Sequence, residues 1–374
     1  MPSFKPKTLW EASPHTLAKL EIIERYLFLW FTIVGSNPKN RRLVYIDGFA
    51  GPGSYTNTDK SSPVIALQVA KAALFRPGAN LANAEFNFLF VEKDPQFAEN
   101  LRKVISATTW PSQFIWEVQT GSFEDKVGTI LEQLRLEGKQ LAPTFAFIDP
   151  FGATGLPFKV IAEILRHSSC EVLLNLDSDG IGRLVTAQTI EKNKAHLDAL
   201  FGDSNWQKEL QPNLPMKQLS AQILTLYKKH LRSVAQYAFA FAMNSREGQL
   251  NYHLVFASQH HKGLEKMKDA MKAVDQTGTY SFSDDTVGQD LLKFDFNDPV
   301  VWAERMQRIL GEKWRTNDEL RDFALNETPF TNPKAMLRHL ESQNLLDVES
   351  IGVRRKGSFP EEKIRRVYIR QTLL

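Results

Sequence analysis

Three acidic side chains each end a short apolar run: Asp47 in RLVYIDGF, Glu92 in EFNFLFVE and Asp149 in TFAFIDPF. In open α/β sheets ligands bind outside the carboxyl ends of the strands, so a carboxylate at such a position can touch one. Asp47 opens the segment Asp47-Gly48-Phe49-Ala50-Gly51-Pro52-Gly53. Gly48, Gly51 and Gly53, with the small Ala50, let the backbone come close to a ligand, and a following helix offers N–H groups. No Gly-Lys-Ser/Thr follows, which excludes a Walker loop, and no glycine closes the G-x-G-x-x-G spacing of a dinucleotide site. A turn with no ligand role stays open beside the binding reading. Glu92, in Val91-Glu92-Lys93-Asp94-Pro95, can accept hydrogen bonds from both hydroxyls of a ribose, whereas Asp94 suits the cap of a helix. A surface carboxylate that only caps is the alternative. Glu92 also lies further from the glycine loop than the usual spacing of about 20 residues, because Ser61 to Glu85 holds an additional helix and turn.

The elements that must position these groups follow from the hydrophobic pattern. Leu17, Leu20, Ile23, Leu27, Trp30 and Val34 recur at spacings of three and four behind Pro14 and predict a core-packing helix. Buried strands are predicted over Arg42 to Phe49, Glu85 to Val91, Phe114 to Val118, Thr144 to Ile148 and Glu171 to Leu176. Helices are predicted between them, over Ser62 to Leu74, Pro95 to Ile105, Asp125 to Glu137 and Phe158 to Arg166. This alternation implies right-handed crossovers and a mostly parallel sheet. After a helical stretch from about Ala187 to Leu231, the runs Ala235 to Met243 and Tyr252 to Ser258 stand too close for a crossover and predict an antiparallel hairpin. Five parallel strands closed by such a hairpin are the plan of the Rossmann-like class I S-adenosylmethionine (SAM) dependent methyltransferases, here over residues 1–290. The polar stretch Gly278 to Asp298 marks a loop or linker. Residues 291–374 hold three helices, Val301 to Leu310, Thr316 to Leu325 and Pro333 to Gln343, then strands from Leu345 to Ile351 and Arg365 to Arg370. Three helices and a hairpin with a basic tip are the plan of a winged-helix domain.

On the methyltransferase plan, Asp47, Gly48, Ala50, Gly51 and Gly53 are candidates for the methionine part of SAM, Glu92 for its ribose, and Ser122 and Phe123 for its adenine. Glu124 competes with Ser122 for the adenine amino group, and a plain helix cap explains that segment equally well. Asp149-Pro150-Phe151-Gly152 stands where amino-methyltransferases of nucleic-acid bases carry Asp/Asn-Pro-Pro-aromatic. There the acid accepts a bond from the target amine and the aromatic stacks on a base that has left its helix. Here Phe151 replaces the second proline and Gly152 the aromatic, so Asp149, Pro150 and Phe151 are the catalytic candidates, with a strand-ending turn as the alternative. A further polar cluster, Asn175-Leu176-Asp177-Ser178-Asp179-Gly180, ends the fifth strand. Acid clusters also bind Mg²⁺, but no His or second strand-borne lysine supports a metal site, and none is expected.

Between Ile351 and Arg370 stand Arg354, Arg355, Lys356, Lys363, Arg365, Arg366 and Arg370 against Glu361 and Glu362. Arg354, Arg355 and Lys356 at the wing tip, with Lys334 and Arg338 one turn apart on the third helix, are candidates for contact with DNA or RNA phosphates. A solvated hairpin or a protein-contacting winged helix is the alternative. The single cysteine, Cys170, excludes a disulfide within the chain and a cysteine zinc site, which fits a reducing cytoplasm. The first residues, MPSFKPKTLWEASPH, lack the apolar core of a signal peptide, and the longest apolar run, Tyr26 to Val34, is short of the roughly 20 residues a membrane helix needs.

YIDGFAGPG (Tyr45 to Gly53), FVEKDP (Phe90 to Pro95), FAFIDPFG (Phe145 to Gly152) and YHLVFASQHHKGLEKMKDAM (Tyr252 to Met271) together resemble the three-Cys-motif partner protein family, TcmP. The resemblance covers nearly the whole chain. It implies a bacterial protein of mobile elements with a methyltransferase-like domain and a winged helix, encoded beside a three-cysteine protein that resembles radical SAM enzymes. It does not fix the reaction. Two expectations follow: a SAM-dependent methyltransferase acting on nucleic acid at an exocyclic base amine, or a catalytically altered, DNA-targeting subunit of the radical SAM-like partner.

Overall fold

The computed structural model describes residues 9–186, 188–244, 250–275, 281–283 and 298–371. The chain divides into two compact units, Met1–Gln276 with Ser281–Asp290, and Thr277–Tyr280 with Leu291–Leu374.

The first unit begins with helix α1 (Pro14–Gly35), started by Pro14 and capped by the Ser13 hydroxyl, which accepts from Thr16 N–H. Strands and helices then alternate: β1 (Arg42–Asp47), α2 (Ser62–Leu74), β2 (Glu85–Glu92), α3 (Pro95–Ser106), β3 (Phe114–Thr120), α4 (Phe123–Leu136), β4 (Thr144–Ile148), α5 (Phe158–Leu165) and β5 (Cys170–Leu176). Helix α6 (Ser178–Leu184) follows β5, and the predicted helical stretch from about Ala187 to Leu231 is three pieces: α7 (Ile190–Phe201), the short α8 (Trp206–Glu209) and α9 (Met216–Arg232). Left-handed Gly202 ends α7, and Pro215 precedes the first residue of α9, so the chain turns where one helix was expected. Ala187 itself lies outside the described residues. Strands β6 (Tyr237–Asn244) and β7 (Leu250–Ser258) and helix α10 (His261–Val274) complete the plan.

The sheet order is β3-β2-β1-β4-β5-β7-β6, extended by β8 (Ser281–Ser283). Strands β1 to β5 pair in parallel, and β7 runs antiparallel to both β5 and β6. This is the class I methyltransferase order, with the antiparallel hairpin where the sequence places it. The short β8, parallel to β6, falls inside the stretch expected to be loop; the rest of the stretch from 278 to 297 lies outside the described residues. The central strand β4, TFAFI, is buried along its whole length, as a strand covered on both faces must be. Helix α1 covers one face, its Tyr26 ring packing against Phe145 of β4 and Phe256 of β7. Leu17, counted in the apolar stripe of α1, is exposed, while His15 and Lys19 are buried. The predicted additional helix before Glu92 is α2, the ordinary crossover from β1 to β2.

The second unit comprises α11 (Pro299–Leu310), β9 (Trp314–Arg315), α12 (Asn317–Glu327), α13 (Lys334–Ser342), β10 (Leu346–Ser350) and β11 (Ile364–Ile369). Thr316 and Glu319 close a reciprocal capping box on α12. The antiparallel sheet, in the order β10-β11-β9, has a third strand beyond the expected hairpin. Met306, Leu320, Phe323, Met336, Leu337, Leu340, Val367 and Ile369 form the core of this unit. Among the described residues no helix is long and apolar enough to cross a membrane.

Candidate active site at the carboxyl edge of the sheet

Strand order reverses between β1 and β4, and such a switch point leaves a crevice at the carboxyl ends of the strands. Asp47 ends β1 and Asp149 follows β4, one on each side of it. Gly48 N–H donates to Phe147 O at 2.8 Å and Ala50 N–H to Val91 O at 2.9 Å, which fixes the glycine loop across three strands. Gly51 and Gly53 have φ of 65° and 86°, the left-handed region that favours glycine. A side chain on Gly51 would enter open space, whereas a Cβ on Gly53 would lie 2.8 Å from Leu101 of α3. The first glycine therefore faces the crevice and the second lets α3 close in.

Glu92 reaches across to this loop. Its Oε2 accepts from Gly51 N–H at 2.8 Å and its Oε1 from Asp94 N–H at 2.7 Å. Asp94 caps α3, accepting from Gln96 N–H and Phe97 N–H. Ser122 is the N-cap of α4, accepting from Asp125 N–H and donating to the Asp125 carboxylate. Phe123 is buried, and its ring lies 2.7 Å from where a Cβ on Gly48 would stand. It supports the loop from below, so the structure places it in the core instead of on the crevice surface.

Asp47 is fully buried. Burial pushes its carboxyl up to about 7, even though hydrogen bonds from Ser62, Phe49 N–H and Tyr45 Oη pull the other way. The charge of nearby Asp149 adds to the rise.

Asp149 has partners that the sequence did not reveal. Its Oδ2 accepts from Lys19 Nζ of α1 and its Oδ1 from Asn175 Nδ2 of β5 at 2.9 Å. Burial opposes the charge on Lys19, but Asp149 and Tyr252 outweigh it and hold the ammonium above its ordinary range. Pro150 is buried, while the Phe151 ring is 74% exposed and meets the Trp10 ring edge-on with 5.8 Å between centroids. Trp10 also touches Tyr55 and Phe97, and its carbonyl accepts from Thr56 N–H at 3.1 Å. Trp10, Lys19, Phe49, Gly51, Tyr55, Asp149 and Phe151 thus enclose a pocket of about 70 Å³. The sequence signal for Lys19 was a charge beside apolar Ala18 and Leu20; Trp10 had no signal.

Asp177 caps α6 through Gly180 N–H, and Asp179 accepts from the Ser220 hydroxyl, so the acids after β5 are engaged in structure. Among the described residues no group of His, Cys, Asp and Glu could hold a metal ion.

In the second unit the basic candidates separate. Arg354 is turned inward: it pairs with Glu341, packs over Phe359 and is 13% exposed. Arg338, on α13, donates to Gly357 O at 3.0 Å. Arg355 and Lys356 are exposed and Lys334 is half-buried at the start of α13. Arg365 and Arg366 pair with Glu349, and Arg370 with Asp347.

No family model and no curated protein matches the chain. Among solved structures it is similar to an O-methyltransferase from Bacillus cereus in complex with SAH (15% identity, 63% of this chain and 80% of the other, TM-score 0.34). It is also similar to a putative O-methyltransferase from Klebsiella pneumoniae (11%, 66% and 91%, 0.33) and a putative caffeoyl-CoA O-methyltransferase from Staphylococcus aureus (9%, 64% and 82%, 0.32). These overall likenesses are slight, and the fold assignment rests on the strand order itself.

Proposed function

We propose that this protein is a SAM-dependent methyltransferase whose substrate is nucleic acid, methylated at an exocyclic amine of a base. The observation that carries the reading is the convergence of the glycine loop, Asp47, Glu92 and Asp149 on the switch point of a sheet in methyltransferase order. The residues fit the cofactor: open space faces Gly51, Glu92 is fixed at the tip of β2 where ribose hydroxyls bind, and Asp47, buried behind the loop, offers negative charge toward the cationic amino-acid end. When bound, SAM supplies an electrophilic methyl group on a sulfonium. Asp149, held by Lys19 and Asn175, accepts a hydrogen bond from the target amine and aims its lone pair, while Phe151 offers a flat apolar face.

We read the second unit as a winged helix in which Arg355, Lys356 and Lys334 meet phosphates, and the chain as a member of the three-Cys-motif partner family. A second reading makes it a nucleic-acid-targeting subunit of a radical SAM-like three-cysteine protein. The closed pocket of about 70 Å³ favours it, since ligand pockets usually measure about 300–1,000 Å³. Calorimetric titration with SAM, with Glu92→Ala as control, separates the two. Micromolar binding that the variant loses supports the enzyme; a folded protein that ignores millimolar SAM leaves the second reading.

A further inference from the structure

Lys19 and Asp149 stand in contact and both line the pocket beneath Trp10 and Phe151. An ammonium beside a carboxylate oxygen presents a donor and an acceptor side by side. The amide of Asn or Gln offers the same pair when it bonds the edge of adenine in two places. The Asp149 carboxylate has about four lone-pair directions, and Lys19 and Asn175 take one each, so acceptor capacity remains. The ammonium has three donors, of which Asp149 receives one.

We propose that the Lys19–Asp149 pair is a specificity device that reads an amine and its neighbouring ring nitrogen together. The amine donates to Asp149, and the ring nitrogen accepts from Lys19. On the Watson–Crick side this edge belongs to adenine and cytosine, whose exocyclic amine adjoins an unprotonated ring nitrogen; guanine offers its amine beside unprotonated N3 only on the minor-groove side. The inference rests on the base-amine reading above and narrows it. In guanine the ring nitrogen beside the amine on the Watson–Crick edge carries a hydrogen, which would oppose the ammonium. The transfer balances: the nitrogen lone pair forms the N–C bond while the C–S bond returns its pair to sulfur, and the proton leaving nitrogen passes to Asp149 and on to solvent. Lys19 is a positioning group in this step. Its contact with Asp149 Oδ2 holds the carboxylate in place, and its N–H fixes the plane of the ring beside Phe151.

The test pairs a change in the protein with a change in the base. Short single-stranded oligomers of deoxyadenosine or deoxycytidine are compared with their 1-deazaadenine and 3-deazacytosine counterparts, in which C–H replaces the ring nitrogen. Binding is read by fluorescence anisotropy and methyl transfer by label from SAM. The unmodified protein should favour the natural oligomers about tenfold in both readouts, the worth of one charge-assisted hydrogen bond. Lys19→Met should treat natural and deaza oligomers alike. Equal treatment by the unmodified protein overturns the inference whether or not the variant folds, and so does refusal of both natural oligomers by a protein that binds SAM. Discrimination retained by a folded Lys19→Met overturns the role of Lys19. Absence of SAM binding overturns the enzyme reading instead.

Discussion

On the SAM-binding reading proposed above, Asp47 should make cofactor binding depend on pH in a calculable way. Burial raises its carboxyl from 3.8 to about 7, so near neutrality about half the free protein carries a neutral Asp47. On that reading the cationic amino-acid end of SAM would bind the ionised form, and binding would then expel a proton below that pH. The ionised fraction is about one half at pH 7 and about 3% at about pH 5.5, so SAM affinity should fall about fifteenfold between them. The α-amino group of SAM, with a pKa of about 8, stays protonated throughout that window. Calorimetry across it reads the effect directly. 5′-Methylthioadenosine, which lacks the amino-acid tail, should bind with no comparable slope. Asp47→Asn should bind SAM more weakly and with the slope gone. SAM affinity that is flat across the window, or an unchanged slope in Asp47→Asn, refutes the placement of Asp47 against the cationic end.

Other parts of the molecule give independent checks. A Cβ on Gly48 would stand 2.7 Å from the buried Phe123 ring, so Gly48→Ala should cost about 1–3 kcal/mol in urea unfolding; an unchanged midpoint would mean that the loop moves freely over that ring. Glu171, buried beneath α1 with bonds from Tyr26 Oη and Ser258 Oγ, is pushed by burial from 4.5 up to about 7. Its raised value means that the associated stability is full below about pH 4.5 and lost as pH rises through about 7, with a ceiling of about 3 kcal/mol; Glu171→Gln should remove this share of the slope and leave the share of Asp47, which burial raises into the same range. Melting curves across that range decide it, and a flat wild-type profile would contradict the burial argument. In the smaller unit, Arg354→Ala should cost about 1.5–3 kcal/mol of stability, because it deprives Glu341 of its charged partner. Arg355→Ala and Lys356→Ala should leave melting unchanged, and each should lower the salt slope of nucleic-acid binding by about 1; the reverse pattern would move the phosphate contacts to Arg354.

Strands β1, β4 and β5 were legible because each is a short apolar run that gives way to glycine or an acid, and a strand covered on both faces has no other way to look. The hairpin was legible from loop length alone. The division of the long helical stretch after β5 was not, because each of its pieces keeps helical periodicity and only left-handed Gly202 and Pro215 mark the turns. The third strand of the smaller sheet is two residues long, below what any pattern can show. The placement of the glycine loop, Glu92 and Asp149 at the carboxyl ends of strands was legible from the ends of the apolar runs. The inward turn of Arg354 was hidden, since a run of basic residues reads alike whether it faces water or a buried glutamate.

Lys19 shows where pattern reading stops. His15, Lys19, Ile22, Tyr26 and Trp30 follow one another at spacings of four and three, and all five are buried on α1. A lysine on such a stripe must be paired, because an isolated buried charge is too costly to keep. The pattern thus demanded an acidic partner without naming it. The partner follows from topology. Lys19 near the start of α1 reaches Asp149 beyond the carboxyl end of β4, while Tyr26 further along reaches Glu171 near the amino end of β5. The helix therefore runs antiparallel to the strands, and its first turns hang over the crevice. One element that looks like plain core packing ties both edges of the sheet and delivers a cation to Asp149, the acid proposed above to meet the target. Replacing Lys19 should consequently alter which base is accepted, and shortening the apolar residues that share its stripe should only lower stability.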